Sequence, residues 1–486
     1  MKTNRIVVVV TAVVGLLISM LVAQFKPVDA TAAPAAQAKL IALSGVLKPF
    51  RYLEHRTELE SLPFDGYAIA LQASWQPFFS DGVNASGLAQ DQADLATIGR
   101  DRLKDSFALI WATPAADGWD WFDDAAWERG EAAIRTIART ARDSGMKGVM
   151  FDPEAYDDRF VWGYDAQRLP TGYSVKPSFD DYRTQVFRRG QRFIRILQEE
   201  APNLTVMTTR MFTDVAADLK NSATYEDFLK ARQENLYYGL GESFAAGMVG
   251  GVVGDTILIE GNERAYDYTT AADFTRANAE IRDDLRWLAY TNDRETYDRV
   301  VQPGHASYTN GVIQESDGRF IGFYLPNRSA RLHVLQDNVR NSIEQSPTYA
   351  WLFAEGETPL WDMAANEPDV LAAITTGKSA AGSGQRPATD PSIALAARDA
   401  YVNSQIMLGV ITGPSGPLAG VTVTPTGSGM SCQPSDATGM YFCQGRKGWS
   451  GTLTPVLSGY RFSPGSRFVE PLNAFRNGLH FEAEPG

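Results

Sequence analysis

The stretch Gly148-Val-Met-Phe-Asp152-Pro-Glu154-Ala-Tyr156 joins an apolar run to two carboxylates spaced one residue apart. Side chains two positions apart on an extended chain point the same way, so Asp152 and Glu154 face a common space. A second negative charge opposes ionisation of the first, which raises one pKa and keeps a proton available near neutral pH. A protonated carboxyl beside a charged one is what departure of a sugar alkoxide requires. This makes Glu154 the expected general acid, with Asp152 tuning it or positioning substrate. The plainer reading is a helix-capping Asp followed by a solvated Glu.

Other apolar runs end in the same manner. Thr256-Ile-Leu-Ile-Glu260 is followed by Glu263 and Tyr266, and Tyr349-Ala-Trp351-Leu-Phe-Ala is followed by Glu355. The run from Leu204 ends in Thr209 and Arg210. Any one of these Glu residues fits a surface loop, but carboxylates from several strands meeting at one rim are the arrangement of glycoside hydrolysis. Glu355 or Glu260 is therefore expected as nucleophile or base. Trp75, Trp111, Trp119, Trp121, Tyr156, Trp162, Trp351 and Trp361 fall at or just past strand ends, where flat rings can stack on sugars. The expected binding set is Trp75, Trp111, Tyr156, Arg210, Glu263, Tyr266, Trp351 and Trp361, with Trp127 and Trp287 left to helix packing. Asp152, Glu154 and Glu260 could instead hold a hard cation. His55, His305, His333 and His480 show no ligand spacing, so neither a metal nor a cofactor is expected.

These residues need elements to hold them. Strands are expected over Gly66–Leu71, Phe107–Ala112, Gly148–Asp152, Leu204–Thr208, Thr256–Glu260, Phe320–Leu325 and Tyr349–Ala354, with helices such as Asp124–Ser144 and Asp180–Glu200 between them. Ala126, Ile134, Ile137, Ala138 and Ala141 share the inner face of the first helix, and Gly145 ends it. Val186, Phe187, Phe193, Ile194 and Leu197 do the same for the second. The alternation reads as an α/β fold, a (β/α)8 TIM-type barrel with one further strand near Tyr237 or Val300. A doubly wound sheet is the alternative, but no Gly-rich nucleotide loop follows an early strand.

Lys2 and Arg5 precede an apolar stretch over 6–23, and Val28-Asp29-Ala30 and Ala36-Gln37-Ala38 both suit signal peptidase. An uncleaved membrane anchor is the alternative, since about 18 apolar residues can just span a bilayer. The expected layout is a signal peptide over 1–30, an Ala-rich linker or first helix over 31–48 and a barrel over 49–375. A polar linker over 376–404, with a short helical piece, then leads to an all-β sandwich over 405–486. A net charge of −13 over 486 residues argues against nucleic acid as a partner. Cys432 and Cys443, a hairpin apart in an exported chain, read as a disulfide.

Two resemblances follow. Gly413-Pro-Ser-Gly-Pro-Leu-Ala-Gly-Val-Thr-Val-Thr, then Asp436-Ala-Thr-Gly-Met-Tyr-Phe, then Ser458-Gly-Tyr-Arg-Phe-Ser-Pro resembles the carboxypeptidase regulatory-like (prealbumin-like) module. That resemblance implies an accessory sandwich, with Cys432 and Cys443 stapling adjacent strands. The Asp152-Pro-Glu154 strand end is similar to TIM-barrel glycoside hydrolases, most visibly the chitinase type, whose strand ends Asp-x-Asp-x-Glu. Met150 stands for the first Asp and Ala155 for the usual Tyr. This resemblance implies Glu154 as acid and leaves a substrate-assisted course unsupported. The expectation is a secreted, periplasmic or cell-surface glycoside hydrolase acting on a poly- or oligosaccharide, with membrane anchoring if the signal segment stays. The competing reading is a non-catalytic polysaccharide-binding protein on a barrel scaffold.

Overall fold

The computed structural model describes residues 37–486 except 79–83, 113–118, 155–160, 166–175, 236–237, 315–317, 355–358, 384–389, 474–475 and 477. The signal segment, Tyr156, Tyr237 and Glu355 lie outside the described residues. Nine parallel strands build the first sheet: β1 (Lys39–Leu43), β2 (Gly66–Ile69), β3 (Phe107–Trp111), β4 (Gly148–Asp152), β5 (Thr205–Thr208), β6 (Ile257–Glu260), β7 (Val301–Pro303), β8 (Ala306–Tyr308) and β9 (Tyr349–Phe353). They run in the order β7-β6-β5-β4-β3-β2-β1-β9-β8. The two ends of that order are consecutive in the chain. β7 pairs with β6 (Leu258↔Val301) and β8 with β9 (Ala306↔Trp351), so 301–308 is one broken stave that closes an eight-stave ring.

The break is steric. A side chain at Gly304 would sit 2.3 Å from Ile259 Cγ2 and 2.9 Å from the Tyr349 carbonyl oxygen. Its N–H donates to the Glu260 carbonyl at 2.8 Å instead. Pro303-Gly304 reads as a turn in sequence, which is why this stave is only marked there by its neighbour Val300. β1 is a correction: 39–43 is a fully embedded stave where an Ala-rich linker or helix was expected. Phe320–Leu325 is another, because Ile321–Tyr324 forms a 3-10 turn and β8 already fills the barrel position.

Alternation sorts the strand residues. Ile41, Ala68, Leu109, Met150, Met207, Ile259 and Trp351 belong to the interior core. Leu40, Ile69, Ile110, Val149, Phe151, Val206, Leu258 and Leu352 pack outward on the helices. The helix Asp124–Asp143 buries Ala126, Ile134, Ile137, Ala138 and Ala141, and Gly145 (φ +77°) turns the chain after it. The helix Phe179–Glu200 buries Val186, Phe193, Ile194 and Leu197.

Helices Pro368–Ala380 and Pro391–Val402 occupy much of the expected linker. The second sits on the barrel: Arg398 pairs with Asp273 at 2.5 Å, and the Tyr401 hydroxyl donates to Asp267 at 2.9 Å. The C-terminal strands are β10 (Ser404–Gly413), β11 (Gly416–Pro417), β12 (Thr422–Pro425), β13 (Met430–Cys432), β14 (Met440–Arg446), β15 (Gly451–Val456), β16 (Tyr460–Ser463), β17 (Arg467–Val469) and β18 (Phe481–Pro485). One sheet runs β13-β14-β10-β18-β16 with β11 on β10, the other β12-β15-β17. Met407, Tyr441 and Phe481 from the first share a core with Val423, Leu453 and Val469 from the second, which makes a small sandwich. Cys432 and Cys443 are directly paired across β13 and β14 and joined by a disulfide.

Candidate active site

Asp152 is in phase with Met150, so it turns into the barrel mouth, where it is 5 % exposed. Its Oδ1 accepts the Glu154 N–H at 3.0 Å and the Thr209 hydroxyl at 3.3 Å. The first bond curls the chain after β4 and fixes where Glu154 starts. Glu154 then meets Arg210 from the end of β5, Oε1 to Nη2 at 2.7 Å.

The same guanidinium takes a second carboxylate. Arg210 Nε lies 3.0 Å from Glu263 Oε2, although off the line of a hydrogen bond. Asp214 Oδ2, four residues on, is 3.5 Å from Nη1, and the Tyr238 ring lies 5.2 Å from the guanidinium carbon. Asp214 and Tyr238 escaped the sequence reading; only the four-residue spacing from Arg210 to Asp214 hinted at the former. Burial opposes the Arg210 charge, but Asp214, Glu263, Tyr238 and Glu154 outweigh it and keep the group cationic. Burial pushes the Glu263 carboxyl up to about 7, the charges of Glu154, Asp152 and Asp214 add to the rise, and Arg210 opposes it. The site therefore holds a carboxyl that carries a proton near neutrality beside others it can act with.

Glu260 does not join them. It is in phase with Leu258, faces the helix layer and is fully buried. There its Oε1 accepts from Met211 N (3.1 Å), Thr213 Oγ1 (2.9 Å) and Asn262 N (3.2 Å), and its Oε2 from Phe212 N (2.5 Å) and Thr213 N (3.3 Å). Burial pushes this carboxyl up, and the donors from Phe212, Thr213 and Asn262 pull against it. Glu260 is thus a clamp on the loop that carries Arg210 and Asp214, which corrects its expected role as nucleophile, base or cation ligand.

The chain changes sides between Glu260 and Glu263. Gly261 allows a close approach, since a Cβ there would lie 1.9 Å from the Thr208 carbonyl oxygen. Asn262 adopts the left-handed conformation (φ +42°) and is pinned by its side-chain N–H to His305 Nδ1 at 2.9 Å. Burial holds the His305 pKa down to about 3, so the neutral ring donates Nε2–H to Asn278 Oδ1 at 2.9 Å and accepts at Nδ1. Glu263 N then donates to the Thr209 carbonyl at 3.2 Å, which sets its side chain beside Arg210.

The aromatics divide. Trp111 ends β3 opposite Asp152 in register, and Trp75 stacks on it at 4.0 Å and 14° with a face in solvent. Tyr266 meets Trp351 edge-on at 5.7 Å, and burial, then its contact with Glu263, pushes its hydroxyl well up. Trp351 corrects its expectation: it is fully buried in the barrel, with Nε1–H on the Gly261 carbonyl at 2.8 Å. Trp361 stacks on His55 at 4.6 Å, beside the helices after β1 and apart from the carboxylates. Trp121 and Trp162 are core residues beneath the helix layer. Among the described residues no group of three or more His, Cys, Asp or Glu is arranged to hold a metal ion.

No protein family matches the chain, and no curated protein matches it in sequence. Among solved structures it is similar to a family 5 xyloglucanase from Paenibacillus pabuli, at 10 % identity and TM-score 0.36 over 69 % of this chain and 91 % of that one. A β-1,4-D-mannanase from Cryptopygus antarcticus gives 7 %, 0.36, 72 % and 91 %. A 3-keto-D-glucoside 4-epimerase from E. coli gives 14 %, 0.35, 71 % and 100 %. Scores this low carry nothing to the site, which stands on the distances above.

Proposed function

We propose that the chain is a glycoside hydrolase whose working pair is Glu263 and Glu154. The observation that carries this is the single Arg210 guanidinium, which holds both carboxylates at the barrel mouth, 2.7 and 3.0 Å away. Carboxylates sharing one guanidinium suit the close pair of a retaining enzyme (about 5–5.5 Å) better than the wider gap that seats a water.

The high Glu263 pKa assigns it the proton, so the acid role expected of Glu154 moves to Glu263. Glu154 attacks the anomeric carbon while Glu263 gives its proton to the departing glycosidic oxygen, leaving a glycosyl ester on Glu154. Ionised Glu263 then takes a proton from water, whose oxygen displaces Glu154 and frees the sugar. Asp152 places Glu154 through its backbone bond and sustains the Glu263 pKa by its charge. The Trp75–Trp111 stack offers a sugar a platform beside Asp152.

The substrate in this reading is a poly- or oligosaccharide met outside the cytoplasm. The charged and apolar start of the chain supports export, with the cut after Ala30. A cut after Ala38 would fall directly at β1, beside a buried residue. Retained, the same segment would anchor the enzyme to the membrane. The β10–β18 sandwich, read as a prealbumin-like module, serves as an accessory domain.

A binding-only barrel has one observation in its favour: Arg210 already pairs with three carboxylates, as a purely structural cluster would. Screening bacterial, plant and algal polysaccharides for released oligosaccharides separates the two. Hydrolysis by the wild type that Glu154→Gln and Glu263→Gln abolish supports the enzyme. Glycan binding without release, unchanged in both variants, supports the binder.

A further inference from the structure

Trp287, expected in helix packing, is 58 % exposed on the 3-10 turn Leu285–Leu288. With Tyr225 and Tyr290, also exposed, it lines a cleft of about 340 Å3 on the outside of the barrel, among the helices after β4, β5 and β6. That volume lies within the range of small-molecule sites, about 300–1,000 Å3. Three exposed rings around one cleft are an uncommon feature of a soluble surface.

Two cations line the same cleft with buried donors left over. The Nε atoms of Arg183 and Arg294 are shielded from solvent and have no hydrogen-bond acceptor. Arg294 has its guanidinium carbon 4.0 Å from the Trp287 ring centre, a contact that supplies no acceptor. Arg183 uses Nη2 on the Tyr225 hydroxyl at 3.1 Å and Nη1 on the exposed Asp180 at 3.4 Å, while its Nε is 3.8 Å from Glu242 Oε1, an ion pair beyond hydrogen-bond length. Glu242 is engaged from the other side by Arg232 at 3.3 Å. Buried donors without acceptors are costly unless a ligand completes them.

We propose that this cleft binds an acidic sugar chain, with a uronate carboxylate received by Arg183 and Arg294 and the ring faces packed on Trp287 and the tyrosines. Guanidinium forks match carboxylates, and aromatic faces match the C–H faces of pyranoses. Two cations are too few for a nucleic-acid track, where binding grows with each neutralised phosphate. The site is separate from the carboxylates at the barrel mouth, and binding there needs no hydrolysis.

The test is titration of the full chain, by calorimetry and tryptophan fluorescence, with oligogalacturonate, a neutral cello-oligosaccharide, a sulfated oligosaccharide and inorganic sulfate. Glu154→Gln serves as background, so that turnover does not intrude. The uronate chain should bind at least tenfold tighter than the neutral one, and Arg294→Ala and Trp287→Ala should each weaken it about tenfold or more. Tyr225→Ala repeats the test if either variant loses its thermal transition. Tighter binding of the sulfated chain, lost in the same variants, keeps the acidic-sugar site with sulfate as its preferred anion. Equal affinity for acidic and neutral chains, uronate binding indifferent to the variants, or binding of inorganic sulfate alone overturns the proposal.

Discussion

The ends of β4 and β6 look alike in sequence and do opposite things. Each is an apolar run closed by a carboxylate, Asp152 in one and Glu260 in the other. Asp152 shares its phase with Met150 and opens into the barrel mouth, whereas Glu260 shares its phase with Leu258 and is sealed under the helices. One residue of register moves a charge from the interior of the ring to its outside. On β4 the strand end itself reaches the site. On β6 the chain must turn through Gly261 and Asn262 before Glu263 can.

The sharpest way to break that contrast is to neutralise the inward pair. Glu154→Gln and Glu263→Gln should each lower kcat/KM by about 10^2 to 10^4-fold, with melting temperatures close to the wild type. A variant that keeps full activity would remove its residue from the pair. The outward carboxylate should behave in reverse. Glu260→Gln places an amide N–H among five donors and should destabilise the fold by about 3–5 kcal/mol in urea unfolding. Whatever protein remains folded should still turn over.

Stability against pH is a subtler check. Glu263 is held up to about 7, and burial holds Asp267 up to about 6. For a carboxyl raised in the fold, the stabilisation is complete below the ordinary carboxylate range and is lost as pH rises through the folded value. Urea midpoints should therefore fall between about pH 5 and 7, less steeply in Glu263→Gln. A flat profile in the wild type would deny the raised values. The smallest effect belongs to Tyr401→Phe, which removes the Asp267 contact below the Glu263–Asp267 turn. About 1 kcal/mol should be lost. A raised KM with kcat unchanged would show the linker helix steadying the turn.

Periodicity made much of this legible. The β4 boundaries and the buried faces of both long helices follow from apolar spacing alone, because a strand or helix with one buried surface must repeat at 2.0 or 3.6. β1 was hidden because Lys39–Leu43 lies in an Ala-rich stretch, and 301–308 because Pro303-Gly304 imitates a turn. Arg210, Glu263, Trp75 and Trp111 were visible as strand-end residues. The meeting of Glu154, Asp214 and Glu263 on the one Arg210 guanidinium was not, since it depends on loop paths that no spacing records. Glu260 misled because a sequence shows that a residue sits at a strand end, but the ring's register decides which side it faces; Trp351 faces the interior but lies mid-strand on β9, too deep to reach the mouth.

The most direct test of the Glu263 assignment is kcat/KM against pH on an aryl glycoside of intermediate leaving ability, which still draws on the acid but leaves Glu263→Gln a measurable rate. The wild type should lose activity above about pH 7 through one ionisation, and Glu263→Gln should be flat across that range. An alkaline limb that persists unchanged in Glu263→Gln would contradict the assignment and place the proton elsewhere.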